Sequence, residues 1–317
     1  MTAEQGLYGL AALAAALLVG ASAIAAWLSW RRSEGEERAA LRNATIRIAS
    51  AWVMVGALVT ALLLGKFALL AVFACVSCVA LSEFLTQSGI RWREHRTLIS
   101  TCYALVPAQY ALIGTGQLIP FLLAVPLSAF LILPALMAVV RDTKGILLTC
   151  GRAQWALMVS GYGLSHVTGI FLLRLPGSGA GAVLLVAYFI AVAQISDVMQ
   201  YAFGKAIGRT PLSPAISPKK TVEGLVGGGL SAILLGTALW WITPFTPAQA
   251  IWLSSAIVVA GICGGLVLSA IKRDLGIKDW GRLIPGHGGV LDRADSLCFA
   301  APIFFHLTWW TCGGQSG

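Results

Sequence analysis

The sequence predicts an all-α, polytopic transmembrane helical bundle whose polar residues gather in loops on one face of the bilayer. Three observations predict it. Of the 317 residues, 58 % are hydrophobic and only 11 % charged, where a soluble domain carries about a quarter charged residues. So few charges cannot cover a water-facing surface of this size, and the remaining apolar surface needs lipid. The chain also divides into apolar runs of about the 20 residues that span a hydrocarbon core as a helix, and its basic residues recur between alternate runs.

The runs are roughly 6–30, 49–65, 67–85, 99–117, 118–140, 153–172, 180–196, 225–244, 248–270 and 296–312. The first has no basic segment ahead of it and is long enough to span, so it reads as a retained anchor rather than a signal peptide. The second and third are short and split only by Lys66; a single re-entrant pair would serve as well, which sets the count at eight to ten. All of the 22 Lys and Arg residues except Lys66 and Arg174 fall in five segments. These hold Arg31 to Arg47, Arg91 to Arg96, Arg141 to Arg152, Lys205 to Lys220, and Lys272 to Arg293. In a ten-span chain all five lie on one side, which the positive-inside bias makes cytoplasmic.

The net charge of +9 sits between apolar spans, which excludes nucleic acid as a partner in favour of anionic lipid headgroups and phosphate substrates. The seven cysteines lie mostly inside apolar runs and pass for small hydrophobes. Cys75 and Cys78 form a CxxC, but no βαβ pattern or second pair surrounds it. His166 and His306 lie in apolar spans and read as packing residues. The organisation expected is an N-terminal set of transmembrane helices over 1–150 and a C-terminal region, 151–317, with the chemistry in two loops, 197–223 and 269–296.

Those loops hold Asp197, Glu223, Asp274, Asp279, Asp292 and Asp295 among nine basic residues. A loop serving only the positive-inside bias needs no acids. Carboxylates beside Lys, Arg and glycine-flanked backbone suit a Mg²⁺-phosphate site, since Mg²⁺ takes oxygen ligands and commonly uses one or two carboxylates plus substrate phosphates. Lys and Arg offset the remaining phosphate charge. The glycines around His287 would let backbone N–H groups approach an anion. Against this stand plainer readings: Asp197 as an interface marker, Asp292 and Asp295 as salt-bridge partners of Arg293 or Lys278, and the prolines as turn residues.

The stretch Ser269 to Asp295 reads S-A-I-K-R-D-L-G-I-K-D-W-G-R-L-I-P-G-H-G-G-V-L-D-R-A-D. It resembles the phosphatidate cytidylyltransferase (CDP-diacylglycerol synthase) family, whose hallmark is a serine, a Lys-Arg pair, a Lys-Asp pair, a Pro-x-His-Gly-Gly turn and Asp-Arg-x-Asp. Ser196-Asp197, and Ile216-Ser217-Pro218-Lys219-Lys220-Thr221 to Glu223-Gly224, look like the family too. The resemblance covers about 180–300.

It implies that phosphatidic acid attacks the α-phosphorus of CTP, with pyrophosphate leaving and CDP-diacylglycerol forming, aided by Mg²⁺. It further implies catalytic roles for Asp292, Lys272, Arg273 and His287. Substrate binding falls to Ser217, Lys219, Lys220, Ser269, Lys278 and Arg293, and metal ligation to Asp292, with Asp197 and Asp295 next. The partners expected are CTP, phosphatidic acid and membrane lipid, with a homodimer compatible, in a bacterial inner membrane. The chain departs from the family at one place. Many members carry G-D-L-x-E-S before the Lys-Arg pair, with the Asp a metal ligand; here Gly265 and Leu268 replace its Asp and Glu. That keeps two alternatives open: a catalytically silent lipid-binding relative, and a CTP-dependent lipid kinase.

Overall fold

The computed structural model describes residues 36–90, 96–139, 145–173 and 179–313, with parts of 5–23. From residue 36 on, nine helical segments follow in order among the described residues: α1 (Glu36–Leu64), α2 (Lys66–Gln87), α3 (Arg96–Gly114), α4 (Leu118–Val139), α5 (Ile146–Leu172), α6 (Gly179–Ile207), α7 (Val222–Ala238), α8 (Pro247–Asp274) and α9 (Leu291–Thr308). A hairpin of β1 (Pro211–Ser213) and β2 (Ser217–Thr221) joins α6 to α7.

Seven of these helices are long and apolar enough to cross a bilayer: α2, α3, α4, α5, α6 and α8, with residues 44–64 of α1. The three remaining expected runs differ for local reasons. The run at 225–244 becomes a 17-residue helix, α7, closed by a short turn at Trp240–Ile242. The run at 296–312 starts earlier, as α9, whose first turns carry Asp292, Arg293 and Asp295. Much of the run at 6–30 lies outside the described residues, as do Arg31, Arg32, Arg91, Arg93, Arg141, Lys144 and Arg174. Large apolar side chains face outward, Leu147 being 86 % and Val139 78 % exposed. Such surface is stable only against lipid. The chain is a multi-pass integral membrane protein.

The second and third runs are two full helices rather than a re-entrant pair. Gly65 turns the chain between them at φ +88°, where a β-carbon would be strained. Arg47 of α1 and Glu83 of α2 both reach the segment between α8 and α9, so α1 and α2 run antiparallel with Gly65 at the far end. Lys66, at that far end, donates to the carbonyl of Gly114, 3.3 Å away. The structure therefore puts Lys66 opposite the ion-rich loops, as the charge pattern requires.

Several polar groups inside the bundle find hydrogen-bond partners there. The Ser77 and Tyr110 hydroxyls lie 2.7 Å apart, and Gln109 Nε2 donates to Phe121 O at 2.8 Å. Gln154 Nε2 donates to Ala129 O at 2.9 Å, a carbonyl within the widened π turns at Ser128–Ile132. In hydrocarbon such bonds spare each group an unmet polar contact. His166 is fully buried among Phe121, Tyr162 and Phe305. The seven cysteines are free thiols.

Close backbone approach sets the α5–α9 contact. A β-carbon on Gly163 would stand 2.5 Å from the carbonyl oxygen of Cys298. Gly163→Ala is therefore expected to lower the melting temperature in detergent, by an amount equivalent to about 1–3 kcal/mol. An unchanged melt would show that the two helices part freely.

Candidate active site

The segment between α8 and α9 is organised around one carboxylate. Lys272, in the last turn of α8, donates to Oδ1 of Asp292, in the first turn of α9, at 2.7 Å, with the two side chains only 10 % and 5 % exposed. Oδ2 of Asp292 accepts the backbone N–H of Trp280 at 2.8 Å and of Gly289 at 2.9 Å. A buried ion pair must offset the desolvation of both charges, and added hydrogen bonds are what make that balance favourable. Gly288 fits here for two reasons: its φ is +89°, and a β-carbon on it would lie 2.8 Å from Asp292 Oδ2.

The N-terminal helices hold the same segment from the other side. Glu83 of α2 accepts the N–H of Val290 through Oε1 at 2.9 Å and that of Leu291 through Oε2 at 2.8 Å. These are free donors at the start of α9, where the helix dipole favours a negative group. Phe84 stacks on the fully buried Trp280 with ring centroids 4.7 Å apart, worth about 1 kcal/mol beyond burial. Gln87 Nε2 donates to Trp280 O at 3.1 Å. From α1, Arg47 Nε donates to Gly286 O at 2.8 Å and Ser50 Oγ to Pro285 O at 2.9 Å.

This corrects one expectation. The backbone N–H groups of the glycine turn do not form an open anion cradle. His287 and Gly288 both donate to Ile284 O, Gly289 to Asp292, and Val290 and Leu291 to Glu83. The His287 ring is partly buried, and burial with the nearby charges of Arg293 and Arg47 holds its pKa below the usual imidazole value. It is neutral near pH 7.

A second group of polar side chains meets beside this post. Asp197 is exposed on α6, and its Oδ2 accepts from the Ser296 hydroxyl at 2.7 Å. The Ser296 N–H donates to Asp295 Oδ1 at 2.8 Å. Ser296 thus ties the two carboxylates to one point, although Asp197 lies on a different helix. Lys220 of β2 and Gly265 of α8 border the same place: a β-carbon on Gly265 would lie 2.9 Å from Lys220 Nζ and 3.9 Å from Asp295 Oδ2. Gly265, Ser269 and Lys272, spaced four and three apart, share one face of α8.

The two expected loops are shorter than read. Asp197 lies within α6, which runs on to Ile207, and Ser269 to Asp274 complete α8. Few residues break a helix before Gly208 and Pro211 in the first case or Gly276 in the second. Arg273 donates to Ile216 O at 3.2 Å and to Ile277 O at 3.1 Å, tying the hairpin to the end of α8. Glu223 accepts the N–H groups of Arg209 and Thr210, and these bonds pull its pKa down to about 2. Ser217 pairs with Ser213 in the hairpin. Lys219, Lys278 and Arg293 are exposed.

Sequence reasoning passed over Glu83, Arg47, Ser50, Gln87 and Ser296. Glu83 did carry a signal: a carboxylate at the end of an otherwise apolar run is expensive unless it has partners. Nothing local marks Ser296 beyond its place next to Asp295.

Fold and site together define a multi-pass membrane protein with a bay of acidic and basic side chains at one end of its bundle. A model of the cytidylyltransferase family matches residues 45–311, and the chain belongs to that family. It is an enzyme of the nucleotidyltransferase class. The match reaches the N-terminal helices, beyond the 180–300 that the motifs cover.

Among relatives, the uncharacterised protein YnbB of Escherichia coli (strain K12) is 37 % identical over 305 residues, 94 % of this chain and 96 % of that one. A phosphatidate cytidylyltransferase of Synechocystis sp. is 30 % identical over 286 residues, 83 % of this chain and 96 % of the relative. That of Aquifex aeolicus is 41 % identical over 122 residues, 38 % of this chain and 44 % of the relative.

Proposed function

We propose that the chain makes CDP-diacylglycerol from CTP and phosphatidic acid, with release of pyrophosphate, at a bacterial inner membrane. The observation that carries this reading is that Asp197, Asp295, Ser296 and Lys220 converge from three elements far apart in sequence, in a chain similar over most of its length to a phosphatidate cytidylyltransferase.

The lipid phosphate is already ionised near neutral pH, so the chain need not supply a strong base. What it must supply is position and counter-charge. In this reading Lys220, Lys219 and Arg293 draw in the triphosphate, and exposed Lys278 steers it. The Lys272–Asp292 pair and Arg273 hold α8, the hairpin and the glycine turn in register. Ser217 and Ser269 offer hydroxyls to phosphate oxygens. His287, neutral, orders its own turn and stands near the departing pyrophosphate.

A divalent ion fits the donor set. Among the described residues no three His, Cys, Asp or Glu side chains come together, but Asp197 and Asp295 both bond Ser296, and two carboxylates suffice for Mg²⁺ when substrate phosphates complete its oxygen shell. Asp197 and Asp295 would hold it. Asp292, the first-named ligand on sequence grounds, has its oxygens engaged by Lys272, Trp280 and Gly289, and in this reading it acts by holding the turn. Bound Mg²⁺ would offset charge developing on the phosphates.

Gly265 favours one second reading, a silent lipid-binding relative. Labelled CTP separates these. Purified protein with phosphatidic acid and Mg²⁺ is expected to move label from the α-position of CTP into lipid and none from the γ-position. Transfer of γ-label alone would make the chain a lipid kinase, and lipid binding without transfer would make it silent.

A further inference from the structure

Position 265 is where the resemblance calls for a carboxylate and this chain has none. The space is nonetheless claimed. Lys220 Nζ lies 2.9 Å from where a β-carbon on Gly265 would be, and Asp295 Oδ2 lies 3.9 Å from the same point. Lys220 is partly buried, and among the described residues it makes no hydrogen bond or ion pair.

The hairpin is tied in place from several sides, so Lys220 does not arrive there by chance. Arg273 holds Ile216. Val222 N–H bonds Thr210 O at 2.9 Å. The Thr221 hydroxyl caps α7 by accepting from Gly224 N–H at 3.1 Å. Any side chain at 265 would have to push the ammonium aside.

We propose that Lys220 is a tethered counter-cation for the Asp197–Asp295 pair, standing in the space that Gly265 leaves open, so that a bare divalent ion binds this site weakly. The inference rests on the nucleotidyl-transfer reading for its purpose but not for its test. Two carboxylates held at one point repel each other, and a fixed ammonium a few ångström away offsets part of that repulsion. The same ammonium repels an incoming divalent cation. A phosphate group relieves both, because it pairs with the ammonium and supplies oxygen ligands. The Lys therefore substitutes for charge balance that a bound metal would otherwise provide, and the missing carboxylate at 265 becomes tolerable.

The test is direct Mn²⁺ binding, read from the electron paramagnetic resonance of free Mn²⁺, with purified full-length protein in detergent and no nucleotide present. Wild type is expected to bind weakly. Lys220→Met is expected to bind at least about tenfold more tightly, the effect of removing one nearby unit charge. Gly265→Asp is expected to do the same by adding a carboxylate and drawing Lys220 to it. Lys220 is only partly buried and makes no hydrogen bond among the described residues, so Lys220→Met keeps its fold and carries the test alone if Gly265→Asp does not fold. Equal Mn²⁺ affinity in wild type and Lys220→Met overturns the proposal, as does weaker binding in the variant. Because no nucleotide is used, tightening in Lys220→Met without α-label transfer by wild type would leave this inference standing and remove the transferase reading.

Discussion

Asp292→Asn is expected to cut CTP-dependent lipid labelling at least about a hundredfold and to lower thermal stability as well. An amide at 292 retains one acceptor oxygen and gains an NH₂. Either that NH₂ faces the Lys272 ammonium, or it faces the N–H groups of Trp280 and Gly289, which now reach Oδ2 at 2.8 and 2.9 Å. Both arrangements set donor against donor. Lys272 is left with its charge buried and unpaired, and breaking a buried pair by losing one partner costs about 3–5 kcal/mol. The glycine turn loses its post, and Asp295 and Ser296, within one helical turn of Asp292, lose their register with Asp197.

The measurements are α-label transfer and a melt in detergent on the same sample. Wild-type values in both would remove Asp292 from the site. Changing Asp292→Leu together with Lys272→Met is expected not to restore activity. It removes the stranded charge, but Trp280 and Gly289 still lack an acceptor.

The second large effect is expected far away in sequence. Glu83→Ala should reduce lipid labelling about as severely as a change in the motif, although Glu83 lies in α2. It withdraws the acceptor from two N–H groups, Val290 and Leu291, and each unmet buried donor costs about 1–3 kcal/mol. Glycines at 281 and 289 pack directly on this carboxylate, since a β-carbon on either would lie 2.5 Å from a Glu83 oxygen. Glu83→Gln keeps one oxygen acceptor and should recover part of the loss. Glu83 acts through the turn, so the fall should appear in kcat more than in KM, with faster hydrogen exchange confined to 280–291. Uniformly faster exchange would assign Glu83 a general structural role instead.

The first prediction shows where reading the sequence succeeds, and the second where it fails. The motif from Ser269 to Asp295 is contiguous, so its residues and spacing are visible without a fold. Asp292 and Asp295, three apart, fall on one helical face as the spacing implies. Asp197 is remote, yet it stood out as an acid among basic residues and as part of the Ser196-Asp197 that looks like the family. Roles were harder to read than membership. Asp292 looked like a metal ligand, and only the fold shows that its oxygens accept from Lys272 and two N–H groups. Arg273 looked like a phosphate holder, and only the fold shows that its guanidinium also clasps Ile216 and Ile277. A side chain's free valence depends on neighbours that one-dimensional spacing does not list, and the glycine turn's N–H groups are spent for the same reason.

Taken alone, the sequence determined the membrane bundle, the order of its helices, the end at which ions gather, and the family. These follow from hydrophobic run length, the period of basic segments and one contiguous motif, all properties of neighbours along the chain. Only the tertiary structure decided that α1 and α2 brace the glycine turn, that Ser296 joins Asp197 to Asp295, and that the Lys220 ammonium stands beside Gly265. Each of those is a contact of a few ångström between residues tens to hundreds of positions apart. Hydrogen bonds and ion pairs act over such distances only once packing has brought the partners together.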